Sequence, residues 1–110
     1  MKQCEIWITD LDPVKGSEQK GRRPMVIISG NVLNTYMPIV IACPLTSKIK
    51  GYKGNLILEP DDTNRLSQKS EVLTFHIRSV SKERLIKKVG RITETQLKEL
   101  RQGLDDILRY

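Results

Sequence analysis

A segment near the N-terminus concentrates side chains that could bind and act on a phosphate group. Its nine residues carry a hydroxyl, a carboxylate, an amide and three cations, and its two glycines let a ligand approach the backbone closely. Because proline biases the residue before it toward an extended conformation, Arg23 is expected to be held at the start of a strand rather than in a mobile, solvated loop. A solvated, charged loop is the alternative interpretation. The segment reads Gly16-Ser17-Glu18-Gln19-Lys20-Gly21-Arg22-Arg23-Pro24.

A second group of polar side chains follows an apolar run that predicts a buried strand. Thr46 and Ser47 place two hydroxyls next to each other, and Lys48 adds a cation. Hydroxyls at the end of a strand can bind a phosphate, or they can simply close a turn. On the residues alone, both interpretations stay open.

The other groups that often carry out catalysis lack suitable companions. His76 is the single histidine, so it cannot form the histidine pair that some ribonucleases use. The adjacent carboxylates at Asp61-Asp62 are typical of a turn, and those at Asp105-Asp106 of a solvated helix face. Since neither pair has partners for a two-metal site, any nuclease chemistry is expected to be metal-free.

Short β-branched runs separated by Gly, Pro, Asn and Asp predict the elements that would position these groups. A long loop from Asp12 to Pro24 is expected between the first two strands, and a loop of this length in a small domain is usually functional. The pattern favours a small, strongly bent antiparallel sheet or barrel. Strands are predicted over 5–9, 25–28, 39–43, 55–58 and 71–77, with a helical turn over 81–85 and a short strand over 88–91.

The C-terminal segment has the pattern of an amphipathic helix. Thr93 followed by Gln96 is a capping box, which predicts where the helix begins. Gly103 falls inside the helix and is expected to weaken it by about 1 kcal/mol relative to alanine. One apolar helical face is predicted from Leu97, Leu100, Leu104, Ile107 and Leu108.

Length and composition predict one globular domain over residues 1–110. The formal net charge of +6 favours a polyanionic partner, whereas the aromatic content of 5% is low for a protein that binds through stacked bases. Cys4 and Cys43 form no paired motif and are expected to be buried free thiols. No stretch has the length of a membrane span, and a cytoplasmic protein without membrane association is predicted.

Several motifs of the chain resemble those of one known family. The opening signature consists of Glu5-Ile6-Trp7, Asp10-Leu11-Asp12-Pro13 and a string from Gly16 to Pro24 with the pattern GSEQ-x-G-x-RP. On these motifs, and on three later ones in the family's order, the sequence resembles the MazF/PemK toxins over nearly its whole length. The later motifs are Cys43-Pro44-Leu45-Thr46-Ser47, Ile77-Arg78-Ser79-Val80 and Arg84-Leu85.

The resemblance implies a mostly β fold, a small SH3-like antiparallel β-barrel with a C-terminal amphipathic helix. It implies a homodimer that cleaves single-stranded RNA at specific sequences without a metal ion or other cofactor. The expected products carry a 2′,3′-cyclic phosphate and a 5′-hydroxyl. The implied protein partner is an antitoxin whose acidic peptide occupies the RNA groove.

The resemblance also implies roles for individual residues. Arg23 and Thr46 match the family's catalytic pair, and Glu18 is a frequently implicated neighbour. Arginine suits stabilisation of charge on phosphate oxygens but is a poor general base, because its guanidinium stays protonated in proteins. The base role is therefore assigned to Glu18. Substrate-binding roles are expected for Ser17, Gln19, Lys20, Ser47, Arg78 and His76, the last standing where a glutamine is common.

Two other functions remain open on the sequence. One is a non-enzymatic toxin of the CcdB kind, which shares this type of barrel and poisons DNA gyrase by protein contact. The other is a nucleic-acid-binding module that has lost catalysis. For the nuclease, the loop from Thr46 to Asn55, which carries three lysines and Tyr52, is expected to help set the recognised RNA sequence.

Overall fold

The strands form one strongly curled antiparallel sheet, as the β-branched runs predict. The computed structural model describes residues 1–11 and 21–110. Within these ranges two helices and two short 3-10 helices accompany the strands. The strands are β1 (Glu5–Asp10), β2 (Arg22–Ile27), β3 (Ile39–Thr46), β4 (Ile57–Leu58), β5 (Ser70–Val72), β6 (Arg78–Ser81) and β7 (Leu85–Arg91). The helices are α1 (Asn31–Tyr36) and α2 (Glu94–Arg109), and the 3-10 helices are Thr74–His76 and Lys82–Arg84.

The strand order of the sheet is β4-β5-β3-β2-β1-β7, and β6 pairs with β3 beside β5. The long strand β3 therefore serves two partners on one edge. Its first half pairs with β6 through Ile39 to Ala42, and its end pairs with β5 through Leu45 and Thr46. The result is a half-barrel with one C-terminal helix, which confirms the predicted mostly β fold class.

Alternate residues of the central strands face two apolar clusters. Val26 and Cys43 belong to the cluster that α2 covers, whereas Met25 and Ala42 belong to the cluster on the other face. This alternation is the period of two that a strand imposes on its side chains. Cys4 and Cys43 are free and buried, and burial raises the pKa of the Cys43 thiol to about 12.

The helix α2 begins where its capping box predicts. The Thr93 hydroxyl accepts a hydrogen bond from the Gln96 amide at 3.1 Å, and the Gln96 side-chain oxygen accepts from the Thr93 amide at 2.9 Å. Leu97 and Leu100 on the predicted apolar face are buried, whereas Ile107 and Leu108 at its C-terminal end are exposed. No helix among the described residues is long and apolar enough to cross a membrane.

The strand predicted over 71–77 is wrong beyond its first residues. β5 ends at Val72, a 3-10 helix covers Thr74–His76, and the next strand starts at Arg78. The chain must move from one half of β3 to the other between these strands, and the 3-10 helix makes that step. Since Thr, Phe and Ile all have high strand propensity, the local sequence gives no sign of the interruption.

Two other features differ from the prediction: the start of β2 and the presence of a helix after it. Arg22, Arg23 and Pro24 belong to β2 rather than to the preceding loop, and residues 12–20 lie outside the described residues. The helix α1 was not predicted, because six residues carry too little periodicity to mark a helix. Its buried Asn34 holds it in place by donating to the Ser29 carbonyl at 2.8 Å.

Gly103 is needed where helix α2 meets the loop before β4. It is buried, and a methyl group on its Cα would overlap the backbone carbonyl oxygen of Gly54. We therefore expect Gly103→Ala to lower the free energy of unfolding by about 1–2 kcal/mol, because the cost of overpacking exceeds the gain in helix propensity. Urea denaturation followed by circular dichroism measures the change.

Lys98→Ala is the matched control, since Lys98 is exposed on the same helix. Its free energy of unfolding should stay within about 0.5 kcal/mol of that of the parent protein. If Gly103→Ala instead stabilised the protein, helix propensity would outweigh the contact with Gly54.

Candidate active site

Arg23 and Thr46 line the same open pocket, at the edge of the sheet where β2 begins and β3 ends. The pocket has a volume of about 300 Å³. Both side chains come from adjacent strands, so the sheet itself brings them to one place. The lining residues are Arg22, Arg23, Pro24, Leu45, Thr46, Ser47, Leu66, Ser67, Gln68 and Ser70.

The pairing of β2 with β3 explains why the pocket opens at this point. Met25 lies opposite Pro44, and two residues further along each strand the same register would bring Arg23 beside Thr46. The described ladder stops at the Met25–Pro44 pair. Pro24 precedes that pair and has no amide proton to donate, so the sheet cannot continue there with regular hydrogen bonds. The two strands leave a gap that their polar side chains line.

The Thr46 hydroxyl already has one partner. It accepts a hydrogen bond from the Lys48 amide at 3.1 Å, which closes the turn that follows β3. A hydroxyl that accepts this bond keeps its own proton for donation. Thr46 can therefore form the turn and also donate to a phosphate oxygen, so the two interpretations of its sequence motif are compatible.

The far wall of the pocket comes from residues 66–70, which the sequence analysis missed. The segment before this wall is fixed by Asn64, whose buried side chain donates to the Glu59 carbonyl at 2.8 Å and accepts from the Leu66 amide at 2.9 Å. Asp61 caps the same turn by accepting from the amides of Thr63 and Asn64. The Asp and Asn residues predict a turn here, but no local signal places it across the pocket.

A second residue that sequence reasoning missed is Glu71, in β5 directly opposite Thr46. Its side chain is fully buried, yet it has no cationic partner among the described residues. Instead its oxygens accept four hydrogen bonds from the loop after β3. The donors are the amides of Lys50 at 2.8 Å, Gly51 at 3.1 Å and Tyr52 at 3.0 Å, and the Asn55 side chain at 2.9 Å.

These contacts determine the ionisation of Glu71. Burial alone would raise its pKa, but the hydrogen bonds from Asn55 and the three amides outweigh burial and hold the pKa below its usual value. The carboxylate is therefore charged at neutral pH and holds the loop that begins beside the pocket.

The remaining predicted site residues are distributed over several places. Ser47 lines the pocket. His76 is exposed in the 3-10 helix and Arg78 is exposed at the start of β6, and neither is among the lining residues. Ser17, Glu18, Gln19 and Lys20 fall on residues that the structure does not describe.

The charges around the pocket suit an anion. Arg22 and Arg23 are exposed at its mouth, and Lys48 follows the two hydroxyls of the opposite wall. In the described ranges, no three His, Cys, Asp or Glu side chains come together in a way that could hold a metal ion.

A family model for the PemK-like, MazF-like toxins of type II toxin–antitoxin systems matches residues 2–108. The chain belongs to this family. The fold is thus that of a PemK/MazF family member, as the family motifs of the sequence predict.

Individual relatives agree with this assignment. An endoribonuclease MazF from Staphylococcus saprophyticus is 34% identical over 106 residues, which cover 96% of this chain and 88% of that protein. The crystal structure of MazF (Form-I) from Deinococcus radiodurans is 30% identical and superposes with a TM-score of 0.76, covering 99% of this chain and 96% of that one. A MazE–MazF complex (Form-III) of the same organism matches at 28% identity and a TM-score of 0.75, covering 97% and 94% of the two chains.

Proposed function

We propose that this protein is an endoribonuclease toxin that cuts single-stranded RNA at a phosphate held between Arg23 and Thr46. The observation that carries the proposal is the shared pocket, in which an arginine and a hydroxyl from neighbouring strands meet. The relative from Staphylococcus saprophyticus, which is named an endoribonuclease, supports the same activity. The net charge of +6 is suited to a polyanionic substrate.

The proposed reaction uses the RNA's own 2′-hydroxyl as the nucleophile. The 2′ oxygen forms a bond to the adjacent phosphorus, and the bond from phosphorus to the 5′ oxygen breaks. The products are a 2′,3′-cyclic phosphate and a 5′-hydroxyl. Because the nucleophile belongs to the substrate, the protein need not activate water on a metal ion, and we propose cleavage without one.

The chain's own residues then have three tasks. Arg23 places two charge-assisted hydrogen bonds on the phosphate oxygens, where negative charge grows as the 2′ oxygen attacks. Thr46 donates a further hydrogen bond to the same oxygens. Glu18 is proposed as the base that takes the 2′ proton, and a proton must also reach the leaving 5′ oxygen.

We propose a homodimer and an acidic antitoxin as the protein partners. The MazE–MazF complex from Deinococcus radiodurans supports a toxin-bound partner protein. The cations Arg22 and Arg23 would attract an acidic peptide to the groove that RNA also needs. The exposed apolar side chains near the end of α2, Ile107 and Leu108, support an apolar contact between subunits. The buried free cysteines fit a reducing compartment such as the cytoplasm.

One experiment tests the activity and the absence of a metal together. Purified protein is incubated with mixed-sequence single-stranded RNA in the presence of EDTA, and the ends of the fragments are analysed. We expect cleavage that EDTA does not slow, with cyclic phosphates on the 3′ ends. RNA that stays intact with and without added Mg²⁺ would refute the nuclease and would leave a toxin of the CcdB kind or a nucleic-acid-binding module without catalysis. Cleavage that EDTA abolishes would instead refute the metal-free mechanism.

A further inference from the structure

The single phenylalanine of the chain is exposed on the surface together with two other rings. Phe75 is 47% exposed and Tyr52 is 51% exposed, although side chains of this type are usually buried. Their rings meet edge to face with centroids 5.4 Å apart. On its other side, the Phe75 ring lies 4.6 Å from the ring of His76. We refer to Tyr52, Phe75 and His76 as the ring cluster.

Hydrogen bonds to the buried Glu71 and to Asn55 hold both segments that carry the ring cluster. Glu71 accepts from the Tyr52 amide, which fixes the loop that carries the first ring. Asn55 donates to Glu71 with its nitrogen and accepts from the Thr74 amide at 3.3 Å with its oxygen, next to Phe75. Glu71 and Asn55 therefore fix the backbone of both segments, so the positions of the rings are preorganised.

The ring cluster is connected to the pocket through the same residue. Glu71 pairs with Thr46 across β3 and β5, and the preceding residue, Ser70, lines the pocket. The loop that supplies Tyr52 also carries exposed Lys48, Lys50 and Lys53. The positive charge of this loop suits the phosphate backbone of a nucleic acid.

We propose that the ring cluster is a stacking platform for a nucleobase of single-stranded RNA that flanks the phosphate in the pocket. This inference rests on the proposed function and adds a binding site to it. An unpaired base has a flat apolar face, which stacks on aromatic side chains in proteins that bind single strands. The surrounding lysines favour a base attached to a phosphate chain over a neutral protein surface. The platform contributes to binding and not to the bond-breaking step.

The test compares variants that remove a ring with variants that keep it. Phe75→Leu and Tyr52→Leu remove aromatic faces, whereas Phe75→Tyr and Tyr52→Phe retain them. Tyr36→Leu is the matched control, because Tyr36 is 82% exposed and lies on α1. The binding probe is a fluorescein-labelled, 2′-O-methylated single-stranded RNA of mixed sequence, which cannot supply the attacking hydroxyl. Steady-state cleavage of unmodified RNA gives KM and kcat separately.

We expect each ring-removing variant to bind the probe about 10-fold more weakly, the effect of losing one base stack. Its KM should rise by a similar factor while kcat stays close to that of the parent protein. The ring-keeping variants and Tyr36→Leu should bind as the parent protein does. Light scattering of each variant reports its oligomeric state.

Three outcomes would overturn the platform. In the first, the parent protein cleaves RNA and Phe75→Leu shows the parental affinity and KM, so the proposed function stands and the platform fails alone. In the second, ring removal changes the oligomeric state but not RNA affinity, which assigns the rings to a protein contact. In the third, the parent protein neither binds nor cleaves RNA, so the proposed function and the platform fail together.

Discussion

Replacing Arg23 by alanine should lower the rate of RNA cleavage about 100- to 1,000-fold, the usual effect of removing one preorganised donor from a developing oxyanion. Arg22 and Arg23 both line the pocket, and the family motif assigns the catalytic role to Arg23, whose planar guanidinium can contact two phosphate oxygens at once. Its loss removes interactions that strengthen as the phosphorus gains a fifth oxygen, so the effect should fall on kcat more than on KM. Single-turnover cleavage of a labelled RNA measures it.

The same variant should remain folded. Arg23 is exposed near the start of β2, and its backbone pairs with Thr9 whatever its side chain. Surface substitutions of this kind change stability by about 0.5 kcal/mol or less. Arg23→Lys keeps the positive charge but not the planar guanidinium, and it should recover only part of the rate of RNA cleavage.

Arg101→Ala is the matched control, since it removes the same charge from the exposed face of α2. It should cleave at close to the parental rate. If Arg23→Ala were as active as Arg101→Ala, the pocket between β2 and β3 would not be the site of cleavage. A loss of activity accompanied by a lower unfolding midpoint would instead point to a structural role.

The first three strands and the start of the final helix can be predicted because their signals are local. β-Branched runs mark β1 to β3, and the Thr93–Gln96 box marks the start of α2. The convergence of Arg23 and Thr46 was expected from family motifs rather than from spacing. Residues on separate strands come together only through the register, and the register depends on long-range pairing.

The rest of the site was not predictable because it depends on contacts between distant segments. Residues 66–70 form a wall of the pocket only after Asn64 has fixed the preceding turn. Glu71 looks like an ordinary polar residue in a strand until β5 pairs with the end of β3 and the loop folds over it. The same reason explains Gly103, whose role depends on the distant backbone of Gly54.

Glu71 should account for a large and pH-dependent part of the stability. We expect Glu71→Gln to lower the free energy of unfolding at pH 7 by about 2–3 kcal/mol, because hydrogen bonds to a charged acceptor are each worth about 1.5–3 kcal/mol. The loss is smaller than the sum of four such bonds, since a loop released from Glu71 can find water. Urea denaturation measured across pH reports both the size and the pH dependence of the effect.

The sign of the pH dependence follows from the lowered pKa of Glu71. The folded state binds this proton less readily than the unfolded state, so acidification favours unfolding. The stabilisation is complete above the ordinary pKa of a glutamate, about 4.3, and is lost as the pH falls through the folded-state value. The parent protein should therefore lose stability on acidification more steeply than Glu71→Gln, and the two curves should approach each other.

Glu59→Gln is the control, because Glu59 is exposed and forms an ion pair with the exposed Lys69 at 3.2 Å. A surface pair is worth about 1 kcal/mol at most, so Glu59→Gln should follow the parental curve closely. Parallel curves for the parent protein and Glu71→Gln would mean that the loop amides do not depend on the charge of Glu71.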